Sequence, residues 1–183
     1  CAAIIEKTPE KIALFRSHDN RIVCTNHYQS GTFINDSHNT ENIRTSDSPY
    51  RAERINELLD DMSPISPDDA VYILRNRYGM ENKDIGICNE KSINQFIAHH
   101  SVVFQPEKLR MWVSTSPWQL GEYICYDMNE VFKERIPVKS YVIEELNIAA
   151  DSQLLNNEYK RAVKYREQYK SISRAIDNNS RIT

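Results

Sequence analysis

The run Arg21-Ile-Val-Cys-Thr-Asn-His-Tyr28 holds the side chains best suited by type and spacing to do chemistry. An apolar stretch stops there in three polar groups. Asn26 brings an amide N–H₂ that can donate to an oxyanion, and His27 can donate, accept or titrate. The end of a strand is a rigid place to hold such a donor. The same pattern also fits an ordinary strand-to-loop transition. Cys1 is a second candidate, because a thiol and an α-amino group on one residue can serve as nucleophile and base. Other clusters carry less. Asp60-Asp61 follows a helix end and Asp68-Asp69 starts a helix, where acids complement the helix dipole. His99-His100 are adjacent, so on a strand they point to opposite faces and cannot chelate one ion. No zinc-type Cys spacing, HExxH, EF-hand, G-x-S-x-G or Gly-rich phosphate loop occurs.

The elements that must position these groups follow from periodicity. Short β-branched runs separated by Pro, Asn and Asp clusters predict an antiparallel meander over residues 1–26: Cys1 to Glu6, Ile12 to Phe15 and Arg21 to Thr25, with turns at Thr8-Pro-Glu-Lys11 and His18-Asp-Asn20. Residues 27–49 are polar and aperiodic and read as a long functional or mobile loop. Ser48-Pro49 reads as an N-cap followed by proline at the first helical position. The helix after it carries Ile55, Leu58, Leu59 and Met62 on its apolar side. Ser66-Pro-Asp-Asp69 starts another helix, with Val71, Ile73, Leu74 and Tyr78 inward and Gly79 at its C-terminus. Ser92 to Ala98 is a short helix or an approach to a strand. Strands are expected at Ser101 to Phe104, Leu109 to Val113 and Glu122 to Tyr126. From about residue 148 the chain reads as an amphipathic helix, with Leu155, Tyr159, Ala162, Val163, Tyr169, Ile172 and Ile176 at helical spacing. Packing of that helix on its own domain is the expectation. Cys24 and Cys125 lie in apolar runs and are expected to be small buried hydrophobes.

Composition bounds the function. The 183 residues are 40% hydrophobic and 27% charged, enough for a real core. A net charge of −3 disfavours a broad nucleic-acid footprint, so no nucleic-acid partner is expected. No apolar run approaches the ~20 residues of a membrane-spanning helix, so no transmembrane segment is expected. The segment Leu146 to Thr183 carries 7 bases and 4 acids, a net +3. A basic amphipathic helix of that kind reads as a membrane-surface helix or a partner helix. The division expected is residues 1–145 as one domain and 146–183 as a C-terminal amphipathic helix. The fold class expected is α+β, with antiparallel sheets and amphipathic helices.

Val23-Cys-Thr-Asn-His27 resembles the V-x-T-N-H strand end of the acyl-coenzyme A:6-aminopenicillanic acid acyltransferase family. These are N-terminal-nucleophile acylases, also described as linear amide C–N hydrolases. The family continues with a polar loop and a helix beginning S-x-x-R-x-x-R. This chain has Ser48-Pro-Tyr-Arg51-Ala-Glu-Arg54 followed by Ile-Asn-Glu-Leu-Leu59. Ser101 to Val113, ending in Trp112-Val113, is similar to the family's late hairpin, and Pro117 to Tyr126 to its Pro loop and G-x-Y strand. The resemblance covers about residues 1 to 128, in order.

The resemblance implies part of an αββα sandwich and a cysteine, freed by autoproteolysis, that attacks a linear amide or thioester carbonyl. The cysteine's own α-amino group is the base. It implies an oxyanion-donor role for Asn26 alone; His27 and Tyr28 are candidate neighbours of the site, with purely structural roles as the alternative. It also places Cys1 in the later half of the family pattern, so the usual nucleophile is expected upstream and this chain is expected to be the C-terminal part. Cys1 itself is the alternative thiol, although Cys1-Ala-Ala lacks the usual hydroxyl residue after it. The family's serine and arginine before the late hairpin are not evident; Asn94 and Gln95 stand near that place. The expected partners are a small-molecule amide or acyl thioester and the upstream segment of the same protein. No metal or organic cofactor is implied. A reading from another class is a non-catalytic αβ domain that binds a protein partner through residues 27–49 and the C-terminal helix.

Overall fold

A computed structural model describes residues 2–17, 19–133 and 141–180. Cys1 and His18 lie outside them. The fold is α+β, with two small antiparallel sheets and several helices.

The first sheet is a hairpin of β1 (Ile4–Lys7) and β2 (Ile12–Phe15). Its turn is closed by the Thr8 N–H on the Lys11 carbonyl at 2.8 Å and the Lys11 N–H on Thr8 Oγ1 at 3.1 Å. Ile5 pairs with Leu14 and Lys7 with Ile12, so these four share one face. That face lies open, with Ile5 69% and Ile12 68% exposed. The other face carries Glu6, which is buried. The expected third strand is not formed: Arg21 to Thr25 runs without a ladder partner among the described residues, and its last residue bonds to a helix instead.

The expected loop over 27–49 contains a helix, α1 (Ser37–Thr45). Asp36 caps it by accepting from the N–H groups of His38 and Asn39. Asn39 is its one buried residue, so no apolar stripe announces it. The next helix, α2 (Ser48–Asp60), begins one residue earlier than expected. Asp47 holds the cap position without a side-chain bond, and Ser48 turns its hydroxyl elsewhere. Helix α3 (Pro67–Leu74) starts at the expected Ser66-Pro67 signal, and Ser66 and Asp69 form a capping box there. It stops at Leu74 rather than near Gly79, having already buried Val71 and Ile73.

The second sheet has the order β3-β4-β5, with β3 at Val102–Gln105, β4 at Arg110–Ser114 and β5 at Tyr123–Asp127. These agree with the three expected strands to within a residue. Trp112, Tyr123 and Cys125 pack with Val71 of α3 into the main core. The Trp112 indole N–H donates to the Leu146 carbonyl at 2.8 Å, which satisfies the buried ring nitrogen. Residues 92–98 form no helix; they lead toward β3 and bury Phe96. A short helix, α4 (Met128–Val131), follows β5.

The C-terminal helix α5 (Asn157–Ser180) packs its first turns against a second cluster. There Ala162 meets Phe96 and Leu120, and Tyr159 and Trp118 complete an aromatic group around Phe96. Further along, the helix leaves an apolar and aromatic row open. Tyr165, Tyr169, Ile172 and Ile176 are all exposed. No helix among the described residues is long and apolar enough to cross a membrane.

Candidate active site

Residues 24–28 line a cavity of about 640 Å³ whose other walls are β1 and the residues His38, Asn39 and Asn42 of α1. Three elements hold this segment, each through polar bonds.

From β1, the buried Glu6 carboxylate accepts the Gln29 N–H at 2.6 Å and the Ser30 N–H at 3.0 Å. Gln29 returns a bond from its side-chain amide to the Val23 carbonyl at 2.8 Å. These contacts fold the chain tightly behind Asn26 to Tyr28. Burial pushes the Glu6 carboxyl up, but hydrogen bonds from Ser30 and Gln29 outweigh it, and its pKa lies below the ordinary value. The Tyr28 hydroxyl donates to the Lys7 carbonyl at 3.1 Å.

From α1, Asn39 acts as a two-way clip. Its Oδ1 accepts the Tyr28 N–H at 2.8 Å and its Nδ2 donates to the Tyr28 carbonyl at 3.1 Å. Asn42 Nδ2 donates to the Asn26 carbonyl.

From α2, Ser48 is the hub. It is fully buried, and its Oγ accepts the Asn26 N–H at 2.7 Å. The same oxygen lies 3.0 Å from Thr25 Oγ1 and 2.8 Å from His27 Nδ1. Thr25 Oγ1 donates to the Ser48 carbonyl at 3.1 Å. Assigning protons so that every contact is satisfied gives the Ser48 hydroxyl proton to Thr25 and places the imidazole proton on Nδ1. Nε2 is then an acceptor. Burial lowers the His27 pKa, the Glu6 carboxylate opposes this, and the Arg51 charge adds to it. The ring is therefore neutral at neutral pH.

One turn along α2, Arg51 Nη2 donates to Asn26 Oδ1 at 2.9 Å. Its Nη1 donates to the Glu90 carbonyl at 2.7 Å. Asn26 Nδ2 has no acceptor among the described residues and is available to a ligand. Arg54, the last member of the Ser-x-x-Arg-x-x-Arg series, faces elsewhere. It is 1% exposed and bonds Glu57, Asn76 and Asn82, tying α2 to the turns that follow α3.

Asn26, His27 and Tyr28 thus come together at one cavity, while Cys1 falls outside the described residues. Cys24 departs from its expected burial. It is exposed and lines the cavity, whereas Cys125 is buried as expected. Sequence reasoning missed Glu6, Asn39 and Asn42. For Glu6 a signal was present, since a carboxylate on the inward side of the alternating Ile4-Ile-Glu-Lys7 strand needs a buried partner.

The acyl-coenzyme A:6-aminopenicillanic acid acyl-transferase family model matches residues 1–116, well over half of the chain, and the chain belongs to that family. The matched stretch includes the whole cavity-lining segment, α1 and α2. No curated protein and no solved structure shows significant similarity to the chain.

Proposed function

We propose that this chain supplies the oxyanion-binding part of a cysteine-dependent acyltransferase or linear amide hydrolase. Membership of the acyltransferase family supports the reaction class at a coarse level. The observation that carries the finer reading is the state of Asn26: it lines the cavity, its side-chain oxygen is engaged by Arg51, and its N–H₂ is left to donate.

In this reading a cysteine thiolate adds to the carbonyl carbon of an amide or acyl thioester. The thiol proton passes to the cysteine's own α-amino group. The carbonyl oxygen becomes an oxyanion and accepts a hydrogen bond from Asn26 Nδ2. Collapse expels the amine, which takes up that proton, or the thiol, and leaves an acyl-enzyme thioester. An amine or water then attacks the thioester and regenerates the cysteine. The thiol belongs to an upstream segment of the protein or to Cys1. His27 and Tyr28 shape the wall beside the donor.

The test is Asn26→Ala in the intact protein, assayed on a series of acyl p-nitroanilides and acyl thioesters. Loss of one oxyanion donor costs ~10²–10³ in kcat. The melting temperature should change little, because Asn26 is exposed and its backbone bonds remain. Turnover within threefold of the parent would overturn the assignment. The exposed stripe of α5 favours a second reading, a non-catalytic domain that docks a protein partner through this helix and residues 27–49. That reading predicts no turnover for Asn26→Ala to remove.

A further inference from the structure

We propose that Arg51 is the positioning residue for Asn26, fixing which end of its side-chain amide meets the substrate; this rests on the oxyanion reading of Asn26. An asparagine amide has two ends of nearly equal size and opposite hydrogen-bonding character. Turned one way it stabilises an oxyanion, and turned the other it repels one. Something must choose. A guanidinium has five N–H donors and no acceptor, so it can engage only Oδ1. The 2.9 Å bond from Arg51 Nη2 to Asn26 Oδ1 therefore commits Nδ2 to the opposite side.

Arg51 is itself held. Its Nη1 bonds the Glu90 carbonyl at 2.7 Å, and that carbonyl also receives Gln95 Nε2 at 2.7 Å. A planar group tied through two nitrogens to two separate oxygens has little freedom to swing. Both of these acceptors are neutral, and Arg51 pairs with no carboxylate among the described residues. Its charge is thus left to polarise the Asn26 amide. A charge-assisted bond to Oδ1 draws electron density from nitrogen and makes Nδ2–H a stronger donor.

The same helix also fixes the backbone. Ser48, three residues before Arg51, accepts the Asn26 N–H at 2.7 Å. Residues three apart are neighbours on a helix surface, so α2 grips Asn26 at its main chain and at its amide oxygen from adjacent positions. Arg51 also lines a second groove, of about 720 Å³, whose far wall includes Tyr165 and Tyr169 of α5. Its donor role toward Asn26 is therefore played from behind the cavity wall.

The experiment uses Arg51→Met and Arg51→Lys in the intact protein, each alone and with Asn26→Ala, on the same acyl substrates. A displaced donor costs up to ~10²-fold. Arg51→Met should lower kcat about tenfold to a hundredfold with KM within twofold, and 20 mM guanidinium should restore part of the loss. Residues acting as a unit are non-additive, so Arg51→Met should add no further loss once Asn26 is alanine. A readout independent of turnover is the Asn26 side-chain N–H₂ pair in a ¹⁵N–¹H spectrum, identified by its disappearance in Asn26→Ala. In Arg51→Met it should move to the shifts of a free asparagine. If that pair is unmoved, or if the Arg51 loss persists in full on the Asn26→Ala background, the proposal is overturned while the reading of Asn26 stands. If Asn26→Ala keeps its turnover, the oxyanion reading fails, and the role of Arg51 in it fails too. Arg51→Lys guards against a folding defect: it keeps the charge but loses the fork, and it should lose rate without losing melting temperature.

Discussion

Glu6→Gln isolates the bond that fastens the cavity-lining segment to the first sheet. Glu6 is 5% exposed, and its two carboxylate oxygens accept the N–H groups of Gln29 and Ser30 at 2.6 and 3.0 Å. Glutamine keeps one acceptor oxygen. Its NH₂ must face the other N–H, donor against donor, and charge assistance is lost at both. A hydrogen bond to a charged group is worth ~1.5–3 kcal/mol, and a buried donor left unsatisfied costs ~1–3 kcal/mol. The substitution should therefore destabilise the fold by about 2–4 kcal/mol at pH 7. The pH dependence adds a second constraint. The folded-state pKa of Glu6 is depressed below the unfolded value of ~4.3. Its stabilisation is fully present above that value and fades as pH falls through the folded pKa. Glutamine does not titrate, so the gap between parent and variant should narrow below about pH 4. Urea unfolding at pH 7, 5 and 3, followed by tryptophan fluorescence, measures this. A gap below ~0.5 kcal/mol at pH 7, or one that is unchanged at pH 3, would refute the reasoning.

Arg54→Met should destabilise by ~1–3 kcal/mol, because it leaves the buried Asn76 side-chain oxygen without its donor and removes the bonds to Glu57 and Asn82; a denaturant titration showing less than ~0.5 kcal/mol would contradict it. Gly121→Ala should cost ~1–3 kcal/mol or more: a Cβ there would sit 2.3 Å from the Ser116 carbonyl oxygen and 2.5 Å from that of Thr115, neither a flexible side-chain tip. An unchanged melting temperature would show that the backbone of residues 115–121 yields.

The parts of the fold that were legible in the sequence are those whose signals are local. The Thr8 to Lys11 turn, the helix start at Ser66-Pro67 and the β3–β4 hairpin around Pro106 each depend on neighbours in the chain. Helix α1 was hidden because its inward residue is Asn39, and a helix seated through an amide shows no apolar period. Arg21 to Thr25 has strand composition but finds no partner among the described residues, and composition cannot supply one. Ser48 has the type and place of an N-cap, yet its hydroxyl serves a residue 22 positions upstream. The same applies to the site. Asn26 and His27 stood out by type, but the Arg51 contact spans 25 residues, and no spacing rule reports it. The Ser-x-x-Arg-x-x-Arg pattern marked α2 without revealing that its first two members hold Asn26 and its third holds the turns on the other side.

Helix α2 therefore works as a ruler, and this bears on how such a chain can vary in length. Each added residue turns a helix by 100° and advances it 1.5 Å. One residue inserted between Ser48 and Arg51 would carry the guanidinium a quarter-turn or more away from Asn26 while leaving the hydroxyl in place. The turn at Gly86 makes a different demand: its φ of +82° favours glycine, and its N–H donates to the Asp84 carboxylate at 2.9 Å. The three-residue interval between Ser48 and Arg51 on α2 leaves no allowance for an insertion or deletion.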